Sequence, residues 1–280
     1  MKNLCPLPLA LALLTVAPCH AGVNVFPHGS RAAALGNAGV VNTDIFATYN
    51  NQAALGFISS PLAAVHYENR HFAEELGLSA AAFATPVPTA GTLGVDVCSF
   101  GYSSYRETRM GVAWGKLLAE RIAVGTQVCY HLLQVAGYGS TSAITAELGL
   151  LAEPVDNVLV GAHIFNFTSS RYLSNLYHER LPVIFDVGMG YRMAQHATLL
   201  VSAKIESGQA MQAKAGLEVV VAQALALRMG VLVKPVELYA GFGYTYRKLH
   251  IDMSFSRHET LGYTPQISLT CNLPKTWKRK

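Results

Sequence analysis

The sequence predicts an all-β fold, namely a transmembrane antiparallel β-barrel of about 14 strands with a small N-terminal plug-like segment. Three observations support this prediction. Apolar and polar residues alternate in segments of about ten residues from residue 75 onward, and short turns separate the segments. One face of these segments carries Leu, Val, Ile, Met and aromatic residues, whereas the other face mixes glycine with charged and amide side chains. An apolar outside and a polar inside are typical of a barrel in lipid.

Residues 121–134 show the alternation clearly. Ile122 and Val128 fall on one side of the segment, whereas Gln127 and His131 fall on the other. A period of two indicates a strand, because successive side chains point to opposite faces of a pleated backbone.

The composition agrees with a chain that coats a large apolar surface. Of 280 residues, 51% are hydrophobic and 14% are charged, with a formal charge of +4. Soluble domains usually carry roughly 25% charged residues. The basic residues are scattered and form no recognisable nucleic-acid module, so we expect no nucleic-acid partner.

The N-terminus reads as a secretory signal peptide over residues 1–21. Lys2 precedes an apolar run over residues 4–17, and Ala21 is a small residue suited to cleavage. Lipidation at Cys19 is the alternative, although Pro18 fits the required small-residue signal poorly. Three cysteines remain after cleavage, and their spacing matches neither a disulfide framework nor a zinc site.

Residues 22–60 lack alternation and are rich in Ala, Gly and Asn. Glycines, including Gly36 and Gly39, interrupt any long helix, while Asp44 is placed to cap a short helix that reaches Asn50. We expect a compact element that packs inside or beneath the barrel wall.

The barrel is predicted over residues 61–273, followed by a basic tail over 274–280. The predicted strands are 62–70, 75–85, 91–102, 106–116, 121–134, 141–153, 157–168, 181–193, 197–206, 211–222, 225–233, 237–247, 249–258 and 262–273. One set of connections is tight, and the other includes the longest loops, 168–180 and 135–140. Short turns on one rim are expected to face the periplasm, which predicts a bacterial outer-membrane location.

Aromatic side chains are predicted to face outward near both rims, where a membrane belt places them. They are Trp114, Tyr191 and Tyr246 near the short turns, and Tyr130, Phe255 and Tyr263 near the longer loops.

Two alternative folds are less compatible with the alternating pattern. A soluble β-sandwich would expose charged residues where this chain has apolar ones, and Glu218, Gln223 and Arg228 interrupt a helical span over 217–233.

The polar register of the strands predicts the side chains that line the lumen. Ionisable groups at membrane depth are functional candidates by default. Their balanced charges argue against a strongly ion-selective pore and favour pairing across the barrel and contact with the plug. The candidates are Asp96, Arg109, Gln127, His131, Glu147, His163, Asp186, Arg192, Lys204, Glu206, Gln212, Lys214, Glu218, Arg228, Arg247 and Asp252.

The sequence contains no hydrolase, metalloprotease or nucleotide-binding motif, so we predict no enzyme, no metal and no cofactor. Some membrane barrels are lipid-cutting enzymes with a Ser/His pair. A pair between His131 or His163 and a nearby serine therefore stays open as the alternative.

The early segment resembles a motif of the long-chain fatty-acid transporter (FadL) superfamily, in particular its PorV/PorQ-like branch in Bacteroidota. The matching residues are Arg31, Gly36, Gly39, Asp44, Asn50 and Asn51, within the runs 30–41 and 50–55. Gln52 departs from that motif, which has proline there.

This resemblance implies a barrel of about 14 strands whose N-terminal element lies in or at the lumen. It also implies one of two functions. Members of the superfamily act as accessory or scaffold proteins of type IX secretion, with secretion-complex partners, or they pass small hydrophobic compounds. Outer-membrane lipid is the expected surrounding in both cases, and the sequence alone leaves the two functions open.

Overall fold

The computed structural model describes residues 29–172, 180–194 and 196–274, which form a closed antiparallel barrel of 14 strands. The signal peptide predicted at 1–21, the beginning of the predicted plug-like segment at 22–28 and tail residues 275–280 lie outside the described residues. The predicted strand number is confirmed. The strands are β1 Leu62–Asn69, β2 Gly77–Val87, β3 Gly91–Gly101, β4 Tyr105–Ala119, β5 Ile122–Val135, β6 Gly139–Val155, β7 Val158–Phe165, β8 Ile184–Ala194, β9 Ala197–Glu206, β10 Gln212–Ala222, β11 Leu225–Val233, β12 Glu237–Tyr246, β13 Leu249–His258 and β14 Gly262–Asn272.

The first and last strands close the sheet. Leu62 of β1 pairs with Asn272 of β14, and the register continues to Glu68 opposite Gln266. Every strand therefore has a neighbour on both sides, which satisfies backbone hydrogen bonds that lipid cannot satisfy. Residues 217–233, which allowed a helical span as an alternative, form β10 and β11 around a tight turn.

The outer face of the barrel is apolar at mid-wall. Val128, Ile144 and Met229 are 55%, 59% and 62% exposed, although each lies in a fully paired region of the sheet. A soluble sandwich buries such residues between two sheets, whereas here the buried face looks into the lumen. The outward aromatic residues predicted near the two rims all occupy the outward register of their strands.

The wall differs from the prediction beside the longest connection. β7 ends at Phe165, three residues before the predicted end, and the connection runs over residues 166–183. Asn166 takes a positive φ of 53°, and its amide side chain donates to the carbonyl of Leu181 at 2.9 Å. This residue ends the strand by bonding to its own loop. The expected loop at 135–140 is also shorter, because β5 and β6 extend to Val135 and Gly139.

The described part of this connection covers the inside of the barrel mouth. Tyr172 and Leu181 are buried and pack against Leu133 and Ala143 on the inner face of β5 and β6. Residues 173–179 of the same loop lie outside the described residues.

Residues 29–58, called the plug below, form three short helical segments inside the barrel. They are α1 Gly29–Ala34, α2 Ala47–Asn50 and a 3₁₀ helix over Gln52–Phe57. The α1 segment packs against β12, β13 and β14, whereas the 3₁₀ helix packs against β4 and β5. The cap expected from Asp44 is wrong, because Phe46 is the N-cap of α2; the Asp44 carboxylate accepts instead from the backbone N–H of Phe46, before the helix begins.

No helix in the described part of the chain is both long and apolar enough to cross a membrane.

Candidate functional site

The plug is enclosed by the wall over most of its surface. Leu35, Ile45 and Leu55 are fully buried and form the apolar centre of the plug. A plug of this kind needs room, and lumen-facing glycines provide it. A Cβ added at Gly216 would lie 2.7 Å from the Cα of Leu35. A Cβ at Gly230 would overlap the backbone nitrogen of Gly36. The plug therefore sits against the backbone of the wall.

Gly36 packs closely against the wall, and this position requires glycine for two reasons. Its φ of +69° is a left-handed conformation that side chains rarely adopt, and a Cβ there would lie 2.8 Å from the backbone nitrogen of Val231. The motif glycine thus has a steric explanation. Gly39 is packed similarly, since a Cβ there would lie 3.0 Å from the side chain of Asn50.

Two polar clusters tie the plug to the wall on opposite sides. The first, called the ion cluster, contains Arg31, Asp44, Glu218, Arg228 and Asp252. The guanidinium of Arg31 donates to both oxygens of Glu218, at 2.8 and 2.9 Å, and lies 3.5 Å from Asp44. Arg228 donates to Glu218 and Asp252, each at 2.6 Å. The charges of two arginines and three carboxylates therefore nearly cancel.

The ion cluster borders a cavity of about 350 Å³ near the short-turn rim, where Leu62 and Asn272 lie. The side chains of Arg31 and Asp44 retain 28% and 24% exposure there, so the cluster is partly hydrated. Burial raises the pKa of the Asp44 carboxyl above its ordinary value, and the neighbouring Arg31 opposes that rise.

The second cluster, called the amide network, lies opposite and is fully buried. Glu147 is its centre and accepts from Arg109 at 2.8 Å, from Gln52 at 2.8 Å and from His163 at 3.0 Å. Arg109 also donates to Asp96 at 3.3 Å. The thiol of Cys129 is a fourth donor, at 3.2 Å, so the buried carboxylate of Glu147 is well satisfied.

Gln52 brings the plug into the amide network. Its amide nitrogen donates to Gln127 at 2.6 Å as well as to Glu147, and Gln127 donates in turn to Asp96. Gln52 is the position where the chain departs from the superfamily motif, and sequence reasoning did not assign it a role. The polar register around residue 127 was the available signal.

The two asparagines of the motif, Asn50 and Asn51, make different contacts. The Asn51 side chain donates to the carbonyls of Val40 at 2.8 Å and of Leu150 at 3.0 Å, and it accepts from the N–H of Ala53. It therefore connects two parts of the plug to β6. Asn50 is buried against Gly39.

The remaining lumen candidates pair among themselves. Lys214 donates to Asp186 at 2.6 Å, and Lys204 lies 3.0 Å from Glu206. Gln212 is half-buried opposite Lys204. These pairs run along the wall, between β8 and β10 and within β9, rather than across the lumen.

Two candidates lie outside the lumen. Arg192 is exposed, because β8 has reached the short-turn rim at that point. Arg247 was expected on β12, but it lies in the turn after Tyr246 with a φ of 54°, and its guanidinium stacks over the Tyr246 ring at 5.4 Å.

The histidines raised as alternatives for catalysis contact other groups. His131 bonds with Thr145 at 2.9 Å, and His163 bonds with Glu147. A third histidine, His66, lies 2.9 Å from the hydroxyl of Ser268 and 3.9 Å from Glu68, an order reminiscent of a hydrolase triad. The Ser268 hydroxyl is buried beneath α1 and bonds with Ser30, so it is shielded from any substrate.

Among the described residues, no group of three or more His, Cys, Asp or Glu side chains is arranged to hold a metal.

One sector of the lumen wall is apolar, and sequence reasoning missed it. The inner face of β2 consists of Leu78, Ala80, Ala82 and Ala84, all buried. The neighbouring inner residues extend it, Ala64 on β1 beside Ala82 and Cys98 on β3 beside Ala80. We call these six residues the apolar sector. It was missed because β2 carries small residues on both faces, so alternation does not distinguish the two faces.

The chain matches no family model and no curated protein. Solved structures do share its fold. The toluene transporter TodX of Pseudomonas putida has a TM-score of 0.68 at 11% identity, covering 89% of this chain and 99% of that one. The monoaromatic hydrocarbon channel CymD has a TM-score of 0.71 at 11% identity, covering 90% of this chain and 99% of that one. A Pseudomonas aeruginosa FadL homologue has a TM-score of 0.61 at 11% identity, covering 88% of this chain and 99% of that one.

At this identity the similarity concerns the fold. Together with the closed sheet and the apolar outer face, it identifies the chain as an outer-membrane β-barrel, as the sequence predicts. The fold agrees with the resemblance to the FadL superfamily, and assignment to the PorV/PorQ-like branch stays a prediction. TodX and CymD are named as a transporter and a channel.

Proposed function

We propose that this protein is a non-enzymatic outer-membrane channel for small hydrophobic compounds, with monoaromatic hydrocarbons as the first class to test. The observation that carries the proposal is the plug, which fills the lumen and is bonded to the wall through both the ion cluster and the amide network. A general porin needs an open aqueous passage. A plugged barrel with an apolar sector suits molecules that partition out of water.

The fold shared with hydrocarbon channels supports the same choice over the alternative. The accessory or scaffold role in type IX secretion that the sequence resemblance implies has no counterpart among the structures named above. It stays a prediction, and retrieval of secretion proteins with the purified barrel from outer membranes would favour it.

Uptake by intact cells tests the channel directly. Cells that express the protein should take up radiolabelled toluene at low external concentration several-fold faster than cells without it, while uptake of a small sugar should not change. Equal toluene uptake in both strains would contradict the proposal. Faster sugar uptake would instead indicate an aqueous pore.

A further inference from the structure

We infer that apolar solutes cross the barrel along the apolar sector, between β2 and the plug, and that Tyr49 is the plug residue that closes this path. The inference rests on the proposed function and adds to it a route and a barrier. It follows from the distribution of side chains inside the wall and from the contacts of Tyr49.

The inner face of β2 is a continuous apolar surface. Its four inner residues from Leu78 to Ala84 occur at every second position, so at about 3.3 Å per residue they cover roughly 20 Å of the wall. Three of them are alanines, and they pack against the plug in one hydrophobic core. Ala64 and Cys98 widen the surface at Ala82 and Ala80.

The rest of the described wall offers no equivalent route. Each of the other strands places at least one polar or charged side chain on the lumen face; for example, Glu147 lies on β6, Asp186 on β8 and Glu218 on β10. An apolar solute that moved past these groups would break ion pairs or hydrogen bonds without replacing them, which is unfavourable. The inner side chains of β2 itself are apolar throughout, and the polar groups beside it, His66 opposite Ala80 and Asp96 opposite Ala82, lie on the neighbouring strands.

Tyr49 lies across this route. It is buried, and its hydroxyl donates to the carbonyl of Ala81 on β2 at 3.1 Å and to that of Val97 on β3 at 3.0 Å. These two residues face each other across the pair of strands. The ring lies beneath the guanidinium of Arg109, whose Cζ is 5.1 Å from the ring centre. Tyr49 thus hydrogen-bonds the plug to the backbone of β2 and β3 beside the apolar sector, in addition to the apolar packing between them.

The consequence is specific to the hydroxyl. Tyr49→Phe keeps the ring and its packing but removes the two bonds to the wall, so the plug should separate from β2 more readily. We expect the rate of passage along the sector to increase roughly three- to tenfold, as the loss of such a bond predicts.

Thiol accessibility tests the route separately from uptake. In a chain whose other cysteines are replaced by serine, Ala82→Cys places a thiol on the sector. Ser254→Cys is the matched control, because Ser254 faces the lumen from β13 and is equally buried, with 1% exposure against 6% for Ala82. Outer membranes are treated with the small apolar reagent N-phenylmaleimide, with and without toluene.

The route predicts that Ala82→Cys reacts at least about tenfold faster than Ser254→Cys, that toluene slows this reaction, and that adding Tyr49→Phe accelerates it. Folding is checked by heat-modifiable gel migration. A chain that keeps only the native Cys98, itself a sector residue, gives a second readout if Ala82→Cys does not fold.

Equal labelling of the Ala82→Cys and Ser254→Cys chains, or labelling that neither toluene nor Tyr49→Phe alters, would overturn the route. If toluene uptake by the unsubstituted chain persisted in that case, the channel proposal would stand. Absence of uptake by the unsubstituted chain would overturn the channel proposal itself.

Discussion

Gly216→Ala should loosen the plug without altering the barrel. Gly216 faces the lumen from β10, and the added Cβ would lie 2.5 Å from the carbonyl oxygen and 2.7 Å from the Cα of Leu35. Ordinary carbon contacts are about 3.5–4.0 Å, so the end of α1 has to move by about 1 Å.

The residues at that end of the plug have little free space into which they could move. Leu35 is fully buried, and a Cβ at the adjacent Gly36 would lie 2.8 Å from the Val231 nitrogen and 2.9 Å from the Ala215 oxygen. Overpacking of this kind typically costs about 1–3 kcal/mol. Alanine imposes no backbone penalty of its own at a strand position, so the cost reports the contact with the plug.

Gly190→Ala is the matched control. It also adds a methyl group to a lumen-facing strand glycine, but its nearest neighbours are side-chain atoms rather than backbone, a Val41 methyl group at 3.3 Å and the Leu159 Cβ at 3.9 Å. Urea unfolding in lipid vesicles should show a free energy of unfolding lower by about 1–3 kcal/mol for Gly216→Ala and nearly unchanged for Gly190→Ala. If the two variants were equally stable, the plug would not occupy the position described.

Three further substitutions test other contacts. Glu218→Gln removes the carboxylate shared by Arg31 and Arg228, so the free energy of unfolding should fall by about 1–2 kcal/mol, and an unchanged value would mean that the ion cluster does not hold the plug. Gln52→Leu takes a donor from buried Glu147 and should cost about 1–3 kcal/mol in the same assay, whereas a neutral result would contradict the amide network. Val128→Arg should cost about 2–4 kcal/mol if this residue meets lipid near the midplane, and folding at full stability would show that it does not.

Alternation predicted the strands well because a period of two marks both the element and its inner face. β9, β11 and β13 begin and end at the predicted residues. The prediction failed at the end of β7, where Asn166 ends the strand by bonds to its own loop. Such a bond depends on a tertiary partner and leaves no periodic signal.

The site was predicted only in part. The polar register identified Glu147 and Glu218 as inward-facing, but which groups they bond depends on how the strands are staggered around the barrel. The part played by Gln52 depends on the position of the plug, which no local pattern encodes. Lumen-facing glycines such as Gly216 were the overlooked signal, since a wall that lacks side chains indicates a filled interior.

Ion conductance of the purified full chain in a planar bilayer tests the enclosed plug most directly. The structure predicts no steady ohmic conductance, because residues from Arg31 to Ile58 occupy the lumen and are bonded to both sides of the wall. Removal of the plug should then produce porin-like currents. Steady currents of the same size from the intact chain would contradict the account.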